Sequence, residues 1–238
     1  MKRNLSLATM SLIALTCATT SFAGEFFDDF QDKAKSEAVW EVIHREWILK
    51  GGTYSAPGAA GLTQDPVTLL PITAEDGMII EASCGDAGDG NWSNFAVIYS
   101  YEDEDIVWTG GAGVGNGQWR MFKLTPLQSG GGAWGTDIVP GVPVKKPLVA
   151  NEFYHIRIEL KGKTATLFAS STPEAKNLNE GNEFTLDKAP TGRIGLAAAG
   201  ASPIFDWIRV TGKNVEDLFN VDPKGKLATT WGTLKAQR

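Results

Sequence analysis

The chain has 238 residues, of which 10% are aromatic and 27 are glycine, with eight tryptophans, two cysteines and a formal charge of −6. An acidic balance with no basic stripe excludes a nucleic-acid backbone and an anionic membrane surface as natural partners. One cysteine lies in an N-terminal apolar leader, so no intrachain disulfide is expected and the fold must rest on a buried core.

Lys2 and Arg3 precede an apolar run from Leu5 to about Ala18, and Ser21 to Ala23 offers small residues for cleavage before Gly24. That is the pattern of a secretory signal peptide over residues 1–23. A lipid anchor on Cys17 needs a small residue before the cysteine, and Thr16 suits that poorly. No other stretch has the length of a membrane span. The expectation is an exported chain, periplasmic or extracellular, with one domain over 24–212 and a tail over 213–238. Cys84, its lone thiol, is expected to be a small buried hydrophobe.

Taken in order, Glu25 to Phe30 alternates as a short strand and is followed by a polar turn. Trp40 to Ile43 and Trp47 to Leu49, the latter leading into Gly51, Gly52 and Tyr54, form a pair of extended pieces. Residues 55–65 are a glycine- and alanine-rich surface loop. Val67 to Leu70 and Met78 to Cys84 are strands, with Met78, Ile80 and Ala82 on one face. Asn94 to Tyr101 is apolar on both faces, as a central strand between layers should be. Asp105 to Thr109 and Gln118 to Leu124 flank a glycine-rich hairpin tip at 110–117, and Gly130 to Val139 is one more strand.

Phe153 to Leu160 and Thr164 to Ala169 read as a hairpin joined at Gly162. Ile194 to Leu196 and Ile204 to Val210 flank a small-residue turn, and strict alternation groups Phe205 with Trp207 and Arg209. No sustained helical period precedes Asn214, while Val215, Leu218 and Phe219 could share one face of a short helix in the tail. About a dozen short strands suit an all-β fold, a two-sheet antiparallel sandwich with a C-terminal appendage.

Several pieces, in their order, resemble a known family. Phe27 to Phe30, Trp47 to Tyr54, Asn151 to Ile158, Gly192 to Leu196 and Phe205 to Val210 are similar to concanavalin A-like (laminin G-like) jelly-roll domains. They are also similar to exported bacterial domains of unknown function grouped with 3-keto-glycoside hydrolases. The resemblance spans about residues 25–212 and implies stacked sheets whose first and last strands lie side by side, with a concave face that meets sugars. The Gln-His and Arg-Asn signatures of the 3-keto-glycoside enzymes are absent, since Ala197 to Gly200 and Asp206-Trp207 stand in those places. The alternating acidic triplet of laminarinase-type enzymes is also missing.

The residues left to carry function divide by chemistry. Trp92, Tyr99, Tyr101, Trp108, Trp119 and Trp134 fall in or beside the middle strands, where flat rings can stack on pyranoses while Arg120 and nearby amides bond hydroxyls. At least half of these rings are expected in the core. Asp28, Asp29 and Asp206 approach one another if the terminal strands pair, which would suit a structural calcium ion; the alternative has Asp206 on backbone amides and Asp28 facing water. His155 shares a strand face with Arg157 and Glu159, so His155, Glu159 and Asp206 are the first catalytic candidates should the protein be an enzyme. The combined expectation is an exported carbohydrate-binding domain without evident catalysis. Its alternatives are a glycoside-processing hydrolase or lyase, and a surface-assembly protein that meets a protein partner through its tail.

Overall fold

The computed structural model describes residues 23–57, 66–87, 94–103, 106–113, 118–124, 136–137, 142–143, 149, 151–170, 178, 181–199 and 202–219. Sixteen strands and one helix run through them, and the strands form two antiparallel sheets. Sheet A contains β1 (Gly24–Asp28), β3 (Ile48–Lys50), β4 (Thr53–Ser55), β6 (Ile79–Asp86), β12 (Tyr154–Lys161), β13 (Thr164–Ala169), β14 (Asn182–Thr185) and β16 (Pro203–Gly212). Sheet B contains β2 (Glu41–His44), β5 (Val67–Thr73), β7 (Asn94–Asp103), β8 (Ile106–Gly113), β9 (Gln118–Leu124), β10 (Thr136–Asp137), β11 (Val142–Pro143) and β15 (Arg193–Ala199). Consecutive strands repeatedly change sheet, which is the connectivity of a jelly roll rather than a meander.

The chain ends meet as expected. β1 lies against β16 from Gly24↔Gly212 to Asp28↔Ile208, and β4 continues the same edge through Phe205↔Tyr54. β6 holds the other edge of β16, so the closing strand is paired along both sides and sits inside sheet A. Phe26, Phe205, Ile208 and Val210 are fully buried between the sheets, together with Tyr99, Met121, Ile156 and Leu196. The alternation of Met78, Ile80 and Ala82 toward this core is as the two-residue period predicts.

Strict alternation fails at β16. Phe205 pairs with Cys84 but Trp207 pairs with Ser83, so Asp206 is the extra residue of a bulge. The bulge keeps Phe205, Ile208 and Val210 inside and turns Trp207 and Arg209 to the outer surface, where the sequence pattern had placed Phe205 with them. A second bulge in β15 brings Gly195 so close to β5 that a Cβ there would stand 2.2 Å from the Thr68 carbonyl oxygen. Only glycine fits.

Other expectations need correction. The turn after β1 contains a helix, α1 (Lys33–Val39), whose N-cap Asp32 accepts from the Lys35 amide at 3.3 Å. It buries only Ser36, so it shows no apolar period and stays hidden from a pattern search. The extended pieces at 40–43 and 47–49 are not a pair, because β2 joins β5 in sheet B while β3 turns into β4 in sheet A. Ile194 to Leu196 and Ile204 to Val210, expected only to flank a turn, lie in opposite sheets. β14 is a further strand that the sequence pattern does not predict. Residues 215–219 form no helix, although Val215 is buried and Phe219 packs on Phe26 with ring centroids 5.3 Å apart.

β7 is apolar on both sides. Val97 and Tyr99 enter the core between the sheets, while Ala96 and Ile98 join Val67, Leu69 and Ala197 in a second buried cluster against which Ile43 and Tyr101 pack.

Candidate functional site

The meeting of the chain ends is built around Asp28. Its carboxylate is buried at 2% exposure and accepts from the Phe30 amide (2.8 Å), Ser36 Oγ (2.9 Å) and Trp40 Nε1 (2.9 Å). Burial raises its carboxyl above the ordinary aspartate value, against the pull of those three donors and with a small push from Asp29. The bond to Phe30 holds a left-handed backbone (φ 56°), and the Phe30 ring then sits 5.3 Å from Tyr54 and 6.1 Å from Trp40. Tyr54 hydrogen bonds Thr68 across the core at 3.1 Å, and burial pushes its hydroxyl up to about 12. Asp28 therefore organises an aromatic corner and does not face water.

That assignment bears on calcium. Both Asp28 oxygens are engaged by donors, which leaves Asp29 and Asp206, far short of the six to eight oxygens the ion takes. Among the described residues no group of three or more His, Cys, Asp or Glu side chains is arranged to hold a metal. Asp206 sits at the β16 bulge, its carboxyl raised by burial first and by Asp29 last, with a Ser83 hydrogen bond pulling the other way. The three aspartates do not fit a calcium site.

His155 lies on the outer face of sheet A, on the same side of β12 as Arg157 and Glu159, as alternation predicts. Its Nε2 is 3.1 Å from Glu81 Oε1 on β6, and its ring meets Trp207 edge-on at 5.2 Å. The hydrogen bond with His155 lowers the Glu81 carboxyl, helped by the charges of Arg157 and Arg209. Arg157 pairs with Glu159 and lies 5.0 Å over the Phe168 ring, while Arg209 lies 5.0 Å over Phe27. So His155, Glu159 and Asp206 share a face, but each is engaged with a different partner: Glu81, Arg157 and Ser83 respectively. Sequence reasoning missed Glu81, whose signal is a single carboxylate at an outward position of the 78–84 run, where the inward Met78, Ile80, Ala82 and Cys84 are all apolar.

The aromatics expected to meet sugars fall into three sets. Tyr99 is fully buried in the inter-sheet core, and Tyr101 is half-buried against the second apolar cluster. Trp92 and Trp134 lie outside the described residues. Trp108 is on β8 opposite Ser100 and Lys123, and Trp119 is on β9 opposite Ala112 and Val142. Four ladder positions separate the two, about 14 Å along the strands at the usual rise. Arg120 pairs with Gly111, and Gln118 pairs with Gly113, which in turn faces Asn94. The middle of sheet B therefore contains a strand whose positions 110, 111 and 113 are glycine, bordered by the Gln118–Arg120 stretch. Glycine inside a strand marks a place where another molecule or backbone can approach the sheet closely.

Neither a family model nor a curated protein sequence matches the chain. Solved structures do match. The carbohydrate-binding module CBM66 from Bacillus subtilis aligns with TM-score 0.55 and 14% identity, covering 70% of this chain and 91% of that one. The VIP36 exoplasmic/lumenal domain, in a form bound to Ca2+ and Man3GlcNAc, aligns at 0.58 and 10% identity over 84% of this chain and 96% of its own. The fold is the concanavalin A-like jelly roll. A Bacillus licheniformis β-glucanase shares this jelly roll at TM-score 0.52 and 10% identity, covering 79% of this chain and 97% of that one. Identities this low establish the jelly-roll architecture and leave its chemistry to the residues.

Proposed function

We propose that this concanavalin A-like domain is exported behind a signal peptide over residues 1–23 and binds a glycan without catalysing its cleavage. The observation that carries the reading is the glycine-paved β8 in the interior of sheet B, beside the β9 stretch of Gln118, Trp119 and Arg120. A sugar chain needs a shallow floor, a ring to stack on and fixed hydrogen-bond donors, and this part of the sheet offers residue types for all three. With Trp108 about 14 Å from Trp119 along the strands, the two serve separate sugar subsites. The similar structures support the same class of ligand, since CBM66 is a carbohydrate-binding module and the VIP36 domain is bound to Man3GlcNAc. Among the described residues no helix is long and apolar enough to cross a membrane.

Affinity electrophoresis of residues 24–238 through gels containing single polysaccharides tests this. Retardation by at least one polysaccharide is expected, lost on Trp119→Ala and weakened on Trp108→Ala, with melting temperatures recorded beside each. Equal retardation of wild type and Trp119→Ala would place the binding elsewhere. The enzyme alternative draws support from the β-glucanase likeness in fold. It is disfavoured here because His155, Glu159 and Asp206 are each tied to a different neighbour rather than facing one another across a cleft.

A further inference from the structure

The outer face of sheet A carries side chains that the reading above leaves unused. The ladder sets Phe168, Arg157, Glu81, Arg209 and Phe27 in one row across β13, β12, β6, β16 and β1. The next row brings His155 and Trp207 to either side of Ser83. The Phe27 and Trp207 rings lie 6.2 Å apart, and Phe27 remains 37% exposed although its neighbour Phe26 is wholly buried. Arg209 is held over both rings, 5.0 Å from Phe27 and 5.9 Å from Trp207, and Arg157 is held over Phe168. These contacts fix long side chains before any ligand arrives, which lowers the ordering cost of binding.

A cluster that served only to hold the strands together would use up its own donors. This one does so only in part: among the described residues the buried Nε of Arg157 makes no hydrogen bond, while Arg209 Nε meets the Glu25 carboxylate at 3.5 Å. The face also continues into a groove of about 740 Å³, lined by Ile79, Glu159, Thr166, Glu183, Asp76 and Lys161 among others, within the size range of ligand sites. Carboxylates at Glu25, Glu81, Glu159 and Glu183 outnumber the guanidiniums in and beside the central row. A polyanion is therefore repelled, and a purely apolar partner would strand the charged groups. What suits exposed rings bordered by alternating acceptors and donors is an uncharged polyol with apolar ring faces.

We propose that the outer face of sheet A is a second binding site, on the opposite side of the sandwich from the glycine-paved strand, for a neutral linear oligosaccharide. Its sugar rings stack on Phe27 and Trp207, its hydroxyls bond Glu81 and Arg209, and the chain runs toward the groove beside Glu159. The ligand class rests on the glycan-binding reading, but the site is separate from the one assigned there.

The test follows the indole N–H signal of Trp207 by NMR, identified by its loss in Trp207→Ala, in residues 24–238 carrying Trp119→Ala. Cellohexaose, laminarihexaose, mannohexaose and xylohexaose are added in turn, with hexagalacturonate as the charged control. At least one neutral hexasaccharide is expected to shift the signal in a saturable way, and hexagalacturonate is not. Phe27→Ala and, separately, Glu81→Gln weaken that binding tenfold or more while the protein stays folded by circular dichroism. A sugar that binds wild type but leaves the Trp207 signal still, with binding lost entirely on Trp119→Ala, overturns this second site and leaves the proposed function standing. A stronger shift with hexagalacturonate overturns the ligand class. Concentration-dependent dimers that Trp207→Ala converts to monomers would assign the face to a second copy of the chain. No binding by any of the sugars, in wild type or variants, overturns both proposals.

Discussion

Replacing Asp28 by alanine removes the acceptor for three buried donors: the Phe30 amide, Ser36 Oγ and Trp40 Nε1, at 2.8–2.9 Å. A buried donor left without a partner costs about 1–3 kcal/mol, and the three belong to one network, so the losses do not simply add. Part of the loss is offset because the variant no longer buries a carboxylate whose burial is itself unfavourable. The net expectation is a destabilisation of about 3–4 kcal/mol, or roughly 6–16 °C in Tm for a domain of this size. Asp28→Asn keeps one oxygen for Phe30 and Ser36 but turns an amide N–H₂ against the Trp40 indole N–H, and should cost about 1–2 kcal/mol. Urea unfolding followed by tryptophan fluorescence measures both, with and without EDTA. An alanine variant within 1 kcal/mol of wild type, or equal to the asparagine one, would refute the three-donor account. Were Asp28 instead a calcium ligand, EDTA would lower the wild-type Tm and leave Asp28→Ala unmoved; the prediction is the same alanine deficit in both buffers.

Gly195→Ala drives a methyl group against the Thr68 carbonyl oxygen and should cost about 2–3 kcal/mol in the same unfolding assay, with sheet content retained by circular dichroism. Because the Glu81 carboxyl is held below its ordinary value of 4.5, its stabilising effect is in force above that pH and fades as pH falls through the lower folded-state value. Wild type should thus exceed Glu81→Gln by about 1 kcal/mol near neutral pH, with the gap closing as acid protonates the carboxylate; a gap independent of pH contradicts the Glu81–His155 bond. Cys84 is fully buried and its thiol is pushed well above the ordinary value, so a thiol reagent should label the chain from Gly24 only on unfolding. Labelling at the rate of a free thiol would mean that β6 opens.

What could be read from the sequence was what repeats along it. Alternation at Met78 to Ala82 and at Tyr154 to Leu160 gave strand faces correctly, because each residue's side follows from its neighbour's. The side-by-side placing of β1 and β16 came from likeness to known domains, and no local pattern in either strand records it. The bulge at Asp206 shows the limit of periodicity, since one extra residue reverses every face that follows, and nothing in the composition of 204–210 marks it. The helix at Lys33–Val39 was hidden for the opposite reason. It is fixed by a cap and one buried serine rather than by an apolar stripe.

The candidate sites divide along the same line. His155 was placed on the right face, but its partner Glu81 lies 74 residues earlier in the chain, and only the pairing of β12 with β6 joins them. As a sequence, Asp28 groups with Asp29 and Asp206, because three carboxylates invite a cation. Its acceptors are spent instead on a serine and a tryptophan within the next twelve residues. Phe27 and Trp207 each looked ordinary in their own strands, and became a platform only when β1 and β16 were laid edge to edge.

Calorimetric titration of residues 24–238 with neutral polysaccharides, with reducing ends assayed in the same samples, examines the glycan-binding claim most directly. Saturable heat from at least one polysaccharide with no new reducing ends is the predicted result. No heat from any of them, or reducing ends released in step with binding, contradicts it.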